Sequence, residues 1–479
     1  MRTRLAPLLD RELKSLGLLH GGKALLAGVS GGADSVALLN GMALLRESHD
    51  FSLTAVHVEH GLRGEASCKD AAFVKALCES LHVPLLAYPV DAFAAMKALR
   101  CGMEEAARIL RYDCFAKAMM VCNGDAILLA HHADDQAETL LMHLIRGSGP
   151  EGLKGMEKAA PFAGGLLVRP LLSLRHEALI QALAEEGLAW REDETNTEPG
   201  SLRNKLRLQV MPEIESLAPG SIAAMGRASF LMAEEADFWR EETADWLRTN
   251  AYLSPELCFL DREALGKQHP AYQRRMVRAF WEQAVSVMAL PQDRGMTTLD
   301  FDKTQELLAL IAGSGIRAVN LPGNMRGERS TKRFFLIPPG KKAPLETPLL
   351  PEGETRYESF IFTAEPWHPG MDLGDGIRRQ ALDIRMIKGA VLRTRRPGDS
   401  FRLLSGEGKK PLKEMLIDHH VDRPFRDMLP LLARGTEVLW VPGAGPSGTA
   451  AIRPDTESGV LLSVKGPLPW ENASNGQDR

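Results

Sequence analysis

Residues 24–46 read ALLAGVSGGADSVALLNGMALLR: an apolar run, a turn of small residues and a second apolar segment. The run 24–30 predicts a strand, and the apolar spacing over 35–46 predicts a helix. Gly31 and Gly32 lie between them and let the backbone come close to an anion. Successive N–H groups and the positive end of the helix dipole then favour phosphate. The stretch therefore predicts a strand, a phosphate-binding loop and a helix.

The loop differs from the common nucleotide motifs. No Gly-Lys-[Ser/Thr] follows, so it is not a Walker A motif, and it lacks the G-x-G-x-x-G pattern of dinucleotide folds. Ser30 and Ser35 supply hydroxyls, whereas the Asp34 carboxylate suits a Mg²⁺ ion that bridges phosphates. An ordinary Gly/Ser turn is the alternative, which the flanking strand and helix disfavour. The residues predicted to hold the nucleotide phosphates are Ser30, Gly31, Gly32, Ala33, Asp34 and Ser35.

Strand-like and helix-like segments alternate from residue 24 to residue 187. This alternation is typical of an α/β fold in which helices cover both faces of a mostly parallel sheet. Ligands of such folds lie at the carboxyl ends of the strands. The further predicted strands are 53–60, 84–90, 126–132 and 166–172, and the further helices are 67–82, 103–122, 135–146 and 173–187.

The pattern changes after residue 217. Long helices are predicted at 221–250, 269–288 and 299–313, followed by a short β region. Five prolines between residues 338 and 351 mark a boundary or linker. The predicted domains are a catalytic α/β domain (1–217), a helical middle domain (218–340), a small α+β C-terminal domain (356–466) and a disordered tail (467–479).

Composition restricts the class of protein. With 44% hydrophobic and 25% charged residues over 479 positions, the chain is typical of a globular protein of several domains. Charges interrupt the N-terminal leucines and no later apolar run is long enough to cross a bilayer, so no signal peptide or membrane span is predicted. The six cysteines form no C-x-x-C pair, which argues against disulfides and structural zinc. A cytoplasmic location is expected.

Further polar residues on two predicted helices are expected near the loop. Glu104, Arg108 and Arg111 are spaced i, i+4 and i+7, so they share one helix face. A solvated face is the default for such a run, but two arginines near a cleft also suit a developing negative charge. Asp135 and Glu138 begin the helix after the fourth strand, three residues apart, and are expected to converge on one spot.

A metallohydrolase is the alternative function for this cleft. His57 and His60 end the second strand, and His131 and His132 end the fourth. Two residues three apart on a strand point to opposite faces, which is poor geometry for a metal. Hydrogen bonding in the cleft wall is therefore preferred for His57 and His60, and a metallohydrolase would leave the phosphate loop without a role.

The loop SGGADS at a strand-to-helix turn resembles the PP-loop of the ATP pyrophosphatase superfamily, whose members cut ATP between the α- and β-phosphates. Taken together, the motifs of this chain resemble those of the tRNA(Ile)-lysidine synthase family over almost the whole chain. Glu59 stands where the family usually has Asn. The motifs that carry the resemblance are HVEHGLR (57–63), EEAARILRY (104–112), HHADDQAET (131–139), RGSGPEGLKGM (146–156), RPLL (169–172), Asp193, Thr195, Asn196, RNKLR (203–207), LPGN (321–324) and TRRPGDSF (394–401).

This resemblance implies an enzyme that adenylates the C2 oxygen of the wobble cytidine in a CAU-anticodon tRNA(Ile). The ε-amine of free L-lysine then displaces AMP, and decoding changes from AUG to AUA. ATP is the implied co-substrate, and Mg²⁺, held by Asp34, is the implied cofactor. The catalytic residues expected from the family are Asp34, Arg108, Arg111, Asp135 and Glu138, and those expected to attract the lysine amine are Asp134, Asp135 and Glu138.

Basic residues concentrate near the C-terminus. Between residues 388 and 434, eleven Lys and Arg stand against six Asp and Glu, in a chain of net charge −4. This excess suits contacts to RNA phosphates, and a solvated surface is the alternative. Contacts to tRNA are predicted for Arg203, Arg207, Arg395, Arg396, Lys409, Lys410 and Lys413.

Two other functions compete with lysidine formation. A PP-loop tRNA thiolase would bind RNA as well, but such enzymes commonly use paired cysteines. A non-catalytic tRNA-binding protein is disfavoured because Asp34, Arg108, Arg111 and Asp135 are all present. The oligomeric state is left open between a monomer and a homodimer.

Overall fold

The computed structural model describes residues 5–59, 65–191, 202–290, 299–339, 346–404, 408–466 and 468. Its contacts divide the chain into two units, Met1–Phe238 and Trp239–Arg479, and each is described by itself. The division falls beyond residue 217, inside a long helix, and the predicted domain boundaries stay predictions. Within the described ranges, no helix is both long and apolar enough to pass through a membrane.

The N-terminal unit alternates strands and helices, which confirms the predicted α/β class. Its helices are α1 (Leu5–Ser15), α2 (Ala33–Arg46), α3 (Glu65–Ser80), α4 (Ala92–Leu99), α5 (Met103–Val121), α6 (Ala133–Ile145), α7 (Pro150–Leu153), α8 (His176–Glu185), α9 (Leu202–Lys205), a π-helix (Leu206–Val210), α10 (Met211–Leu217) and the start of α11 (Ser221–Asn250). Its strands are β1 (Lys23–Gly28), β2 (Phe51–Glu59), β3 (Leu85–Pro89), β4 (Ala126–Leu128), β5 (Ala159–Phe162) and β6 (Gly165–Val168).

One mostly parallel sheet organises this unit, in the order β3-β2-β1-β4-β6-β5. The edge strand β5 pairs antiparallel with β6 and was not predicted. From β1 the chain moves outward to β2 and β3 on one side, and β4 and β6 lie on the other. Because the direction reverses between β1 and β4, the loops that follow these strands border a crevice at the carboxyl edge of the sheet.

Helix α1 is a second element that the sequence analysis did not predict. Its buried residues Leu5, Leu9 and Leu13 recur every four positions, so the helical signal was present. They pack beside α2, where a Cβ atom added at Gly41 would lie 2.5 Å from Leu9 Cδ1. Glycine at this position therefore allows the close approach of the two helices, and a larger residue would make the Leu9 side chain shift.

The C-terminal unit combines helices with three antiparallel or mixed sheets. Its helices are the end of α11, α12 (Arg262–Gly266), α13 (Pro270–Val287), α14 (Phe301–Ala312), a short 3₁₀ turn (Pro322–Asn324), α15 (Ile384–Ile387), α16 (Leu412–Asp418) and α17 (Arg423–Met428). Its strands are β7 (Ala251–Tyr252), β8 (Cys258–Asp261), β9 (Arg317–Asn320), β10 (Arg326–Arg329), β11 (Arg333–Ile337), β12 (Thr347–Pro348), β13 (Gly353–Tyr357), β14 (Phe360–Trp367), β15 (Arg379–Asp383), β16 (Val391–Arg393), β17 (Ser400–Arg402), β18 (Lys409–Pro411), β19 (Leu431–Arg434), β20 (Glu437–Val441), β21 (Gly445–Pro446) and β22 (Gly459–Lys465).

The helical region predicted after residue 217 is confirmed in α11, α13 and α14, but it contains more strand than predicted. The five-stranded sheet β7-β8-β11-β10-β9 includes two strands, β7 and β8, that lie between predicted helices. Phe259 and Phe335 of this sheet belong to the same buried cluster as Phe360 and Trp440 of the C-terminal sheets. Of the predicted disordered tail, Leu468 is buried in this cluster, and the other residues lie outside the described ranges.

Candidate functional site

The loop between β1 and α2 has the tight geometry that adjacent glycines permit. Gly31 has a φ of +96°, which other residues rarely adopt, and Gly32 immediately precedes α2. The Ser35 hydroxyl accepts hydrogen bonds from the backbone N–H groups of Ser30 (3.2 Å) and Gly31 (3.1 Å). It donates one to the Gly32 carbonyl oxygen at 2.9 Å. Ser35 therefore shapes the loop, and in this conformation its hydroxyl is not free for the predicted phosphate contact.

His57 forms part of the wall behind the loop. Its side chain is buried, and its Nδ1 lies 2.8 Å from the Val29 carbonyl oxygen. This hydrogen bond agrees with the wall role preferred for His57. His60 lies outside the described residues, so the relative orientation of the two histidines stays a prediction.

Two histidines reach Asp34, the second residue of α2. Asp34 Oδ1 is 2.7 Å from Nδ1 of His176, and Asp34 Oδ2 is 3.5 Å from Nε2 of His132. The two imidazole rings have centroids 5.2 Å apart. His132 precedes α6 after β4, and His176 begins α8 after β6. Because β1, β4 and β6 are neighbours in the sheet, three helix starts meet around one carboxylate.

The carboxylates around His132 keep its imidazole protonated. Burial by itself would lower the pKa of His132, but hydrogen bonds to Asp134 and Asp34 outweigh burial and raise this pKa to about 10. His132 Nδ1 is 3.4 Å from Asp134 Oδ2. Burial would likewise raise the pKa of Asp34, yet hydrogen bonds from His132 and His176 hold it well below its usual range. At neutral pH the cluster thus contains an imidazolium beside ionised carboxylates.

Asp134 joins α6 to α8. Its Oδ1 accepts a hydrogen bond from Nε of Arg175 at 3.0 Å, and its Oδ2 accepts one from the backbone N–H of His176 at 2.8 Å. Arg175 also contacts Glu215 at 3.3 Å, and Glu215 accepts from the Ile222 N–H near the start of α11. Asp134 was predicted to attract the lysine amine; both its oxygens accept hydrogen bonds within the unit, and that role stays a prediction.

Asp135 and Glu138 converge, as predicted, but two arginines occupy them. Glu138 is buried and accepts from Nε of Arg203 at 2.8 Å and from Nε of Arg207 at 2.6 Å. Asp135 Oδ1 accepts from Nη2 of Arg203 at 3.1 Å and from Nη2 of Arg207 at 2.8 Å. We call these four residues the charge quartet. It contains two carboxylates and two guanidinium groups and is electrically balanced.

The charge quartet already engages Arg203 and Arg207, whose contacts with tRNA stay predictions. Both were expected to contact tRNA, yet their guanidinium groups bind carboxylates of the same unit. Arg207 lies in the π-helix that follows α9, a local irregularity that is frequent at functional sites. The sequence did not reveal this pairing, because the partners are separated by 65 to 72 positions.

Arg108 and Arg111 stand on α5, as the spacing predicted. The Arg108 guanidinium lies 4.9 Å from the ring centroid of Tyr112. Arg111 is exposed, yet partial loss of hydration lowers the pKa of its guanidinium group, and the positive charges of Arg108 and Arg203 lower this pKa further. These charges act on His131 too, whose pKa is lowered to about 4, mainly by burial and despite the Asp135 carboxylate. The helix therefore contributes positive charge to the region of the quartet.

The other basic residues predicted to bind tRNA lie in the C-terminal unit. Arg395, Arg396, Lys409 and Lys413 line one open depression. Most of the predicted cations already have an acidic partner, so the local positive charge is smaller than the residue count suggests. The pairs are Arg395–Asp427 (2.7 Å), Arg396–Glu346 (2.6 Å), Lys409–Glu437 (3.6 Å) and Lys410–Asp418.

Known proteins resemble both units. Residues 5–214 match a family described as the PP-loop domain, and residues 390–461 match the TilS substrate C-terminal domain. The tRNA(Ile)-lysidine synthase of Symbiobacterium thermophilum is 33% identical over 483 residues, which cover 96% of this chain and 98% of that protein. The chain belongs to the tRNA(Ile)-lysidine synthase family. The enzyme of the same name from Dehalococcoides mccartyi is 30% identical and covers 91% of this chain and 93% of that protein.

Membership of the lysidine synthase family confirms the resemblance found in the motifs and makes the chain an enzyme. The PP-loop domain supports ATP as its co-substrate. The family match does not assign roles to single residues, so the roles of Asp34, Arg108, Arg111, Asp135 and Glu138 stay predictions.

The sequence analysis missed Arg175, His176 and Glu215. Arg175 and His176 follow the apolar run 166–172 at the end of a strand, which is the same signal that drew attention to 131–139. Strand ends predict an edge of the sheet, but they do not predict which side chains meet there. The contact between Asp34 and His176 spans 142 positions and depends on the order of the strands.

Proposed function

We propose that the protein uses ATP to join free L-lysine to C2 of the wobble cytidine of a CAU-anticodon tRNA(Ile), releasing AMP and pyrophosphate. The observation that carries this proposal is the crevice between β1 and β4. The PP-loop and the Asp34 cluster border this crevice at the start of α2, and the charge quartet borders it at the start of α6. A phosphate-binding element and a charge-balanced polar site thus stand side by side. A two-step ligation needs both in one place.

In the first step, the cytidine O2 attacks the α-phosphorus of ATP. The bond between the α-phosphorus and the bridging oxygen breaks, and pyrophosphate leaves. The start of α2 offers N–H groups and a positive dipole end to the departing phosphates, while the N–H groups of Ser30 and Gly31 are held by Ser35 Oγ. We assign to Arg108 and Arg111 the stabilisation of the α-phosphate in the transition state.

In the second step, the lysine ε-amine attacks C2 and AMP leaves with its bonding electrons. The charge quartet offers carboxylates and guanidinium groups together, which match the α-ammonium and α-carboxylate of a free amino acid. We place the head group of lysine there. Because carboxylates that hold the α-ammonium do not reach the ε-amine of the same lysine, the proton lost by the ε-amine goes to water.

Mg²⁺ fits the site as a partner of the nucleotide. Mg²⁺ is commonly bound by one or two carboxylates together with substrate phosphates and water. Asp34 supplies one ionised carboxylate at the end of the loop, with 30% of its side chain exposed. When bound there, the ion would neutralise phosphate charge, and Asp34 would hold it.

A PP-loop tRNA thiolase remains the alternative function. Among the described residues, the contacts of the Asp34 cluster and the charge quartet involve no cysteine. Cys78 and Cys258 are buried, and burial raises the pKa of both thiols, to about 11 and about 12. Neither has the reactive character that sulfur transfer needs.

The test is incubation with ATP, L-lysine and total tRNA, followed by mass spectrometry of the digested nucleosides. A cytidine with the added mass of lysine minus water supports the proposal. Incorporation of sulfur would indicate the thiolase, and an unchanged nucleoside profile would indicate a non-catalytic tRNA-binding protein. Contacts of the C-terminal depression with tRNA phosphates, a homodimer and a cytoplasmic location stay predictions.

A further inference from the structure

The Asp34 cluster contains a set of metal-ligating atoms that a magnesium nucleotide does not require. Within the described residues, Asp34, His132 and His176 form a group whose ligating atoms all lie within 4.8 Å of one another. The contacts of Asp34 to the two imidazole nitrogens are 2.7 and 3.5 Å. Ligands bound at about 2.0–2.2 Å from one ion are roughly 3–3.5 Å apart. Small rotations of these side chains, together with release of the proton that Asp34 and Asp134 hold on His132, therefore bring all three to one ion.

The donor types distinguish this set from a magnesium site. Mg²⁺ takes oxygen ligands, whereas imidazole nitrogen favours zinc, iron, cobalt, nickel or copper. Two imidazoles and one carboxylate form a donor set common in transition-metal sites. Three protein ligands also leave a position open for water or another oxygen.

The fold holds the three donors firmly and leaves the site accessible. His132 stands at the N-terminus of α6, where its backbone N–H donates to Asp135 Oδ2 at 3.1 Å. The backbone N–H of His176 donates to Asp134 at 2.8 Å, which fixes the first residue of α8. The His176 side chain is 42% exposed, so an ion can enter from solvent.

We propose that Asp34, His132 and His176 bind a transition-metal dication of the Zn²⁺ or Co²⁺ class in the absence of nucleotide. The ion occupies the end of the PP-loop, and its open position accepts water in the free enzyme. With ATP bound, the open position of the ion accepts a phosphate oxygen instead, and this part of the inference rests on the proposed function. Binding of the metal itself rests only on the three side chains.

Co²⁺ is the probe for the full-length protein, without ATP or tRNA. Titration is expected to give visible d–d absorption of one Co²⁺ per chain, which equimolar Zn²⁺ abolishes and a large excess of Mg²⁺ leaves in place. His176→Gln should weaken Zn²⁺ binding, measured by calorimetry, by about tenfold or more. His20→Gln removes an exposed histidine of the same unit and should leave affinity unchanged.

Three results would overturn the inference. The first is no Co²⁺ absorption, and the second is equal affinity in the wild type and His176→Gln. The third is an intense near-ultraviolet charge-transfer band, which would place the ion on a cysteine thiolate. Asp34→Asn, checked by circular dichroism, is the second variant and should also lose the site. Lysidine formation with Mg²⁺ is assayed separately, so a failed metal site and a failed proposed function give different results.

Discussion

Replacing Glu138 by Gln should impair the use of lysine more than the use of ATP. Glu138 is buried and accepts three hydrogen bonds from Arg203 and Arg207, at 2.6, 2.8 and 3.0 Å. A glutamine presents one oxygen, and its NH₂ group faces a guanidinium donor, so at least one of these hydrogen bonds is removed. The charge quartet changes from balanced to one net positive charge, which repels a cationic amino acid.

The magnitude follows from the hydrogen bonds that the glutamine cannot make. A hydrogen bond to a charged group contributes about 1.5–3 kcal/mol. If the free energy lost between Glu138 and its two arginines appears in full as weaker binding of the lysine head group, KM for lysine rises roughly 10- to 150-fold. The rate of pyrophosphate release with saturating tRNA and ATP should change much less, because Glu138 contacts neither in the proposed mechanism.

The assay is lysidine formation by mass spectrometry over a range of lysine concentrations, with pyrophosphate release followed in parallel. Glu185→Gln is the matched control, since Glu185 is an exposed residue at the end of α8 and its change should leave both quantities unaltered. The double variant Glu138→Gln/Arg207→Gln restores the charge balance and should recover part of the affinity for lysine. An unchanged KM for lysine together with a raised KM for ATP would refute the placement of lysine at the quartet.

Three further predictions concern the nucleotide site, His132 and the C-terminal depression. Asp34→Ala should abolish tRNA-dependent ATP–pyrophosphate exchange with an unchanged circular dichroism spectrum, and normal exchange would remove Asp34 from the nucleotide site. His132 should stay protonated at pH 8 in a histidine NMR titration, because its pKa is raised from 6.5 to about 10. The stabilisation of the fold from this shift is complete below pH 6.5 and is lost as the pH rises through 10. A titration midpoint of His132 near pH 6.5 would contradict the prediction. Neutralising four basic residues in and beside the C-terminal depression should weaken the salt dependence of tRNA binding. The slope of log K against log salt concentration should fall by about 0.7–0.9 for each RNA phosphate that is no longer neutralised. An unchanged slope would mean that these residues form a merely solvated surface. Those four changes are Arg395→Gln, Arg396→Gln, Lys409→Gln and Lys410→Gln.

The sequence alone was sufficient for the parts of the fold that depend on local pattern. The run 24–46 predicted β1, the phosphate loop and α2 because strand periodicity, adjacent glycines and helical spacing are properties of neighbouring residues. The helix predicted over 221–250 has the same bounds in the structure. The short strands β7 and β8 were missed because they contain few residues, and β8 is held by pairing with the distant strand β11.

Only the tertiary structure decided which charges meet. The sequence placed Asp135 and Glu138 on one spot, since their spacing is local, but it assigned Arg203 and Arg207 to RNA. The folded chain brings these arginines onto the carboxylates, and it brings His176 to Asp34 because β1, β4 and β6 are adjacent in the sheet. Strand order and helix packing fix such pairs, and neither is encoded in the spacing of residues along one segment.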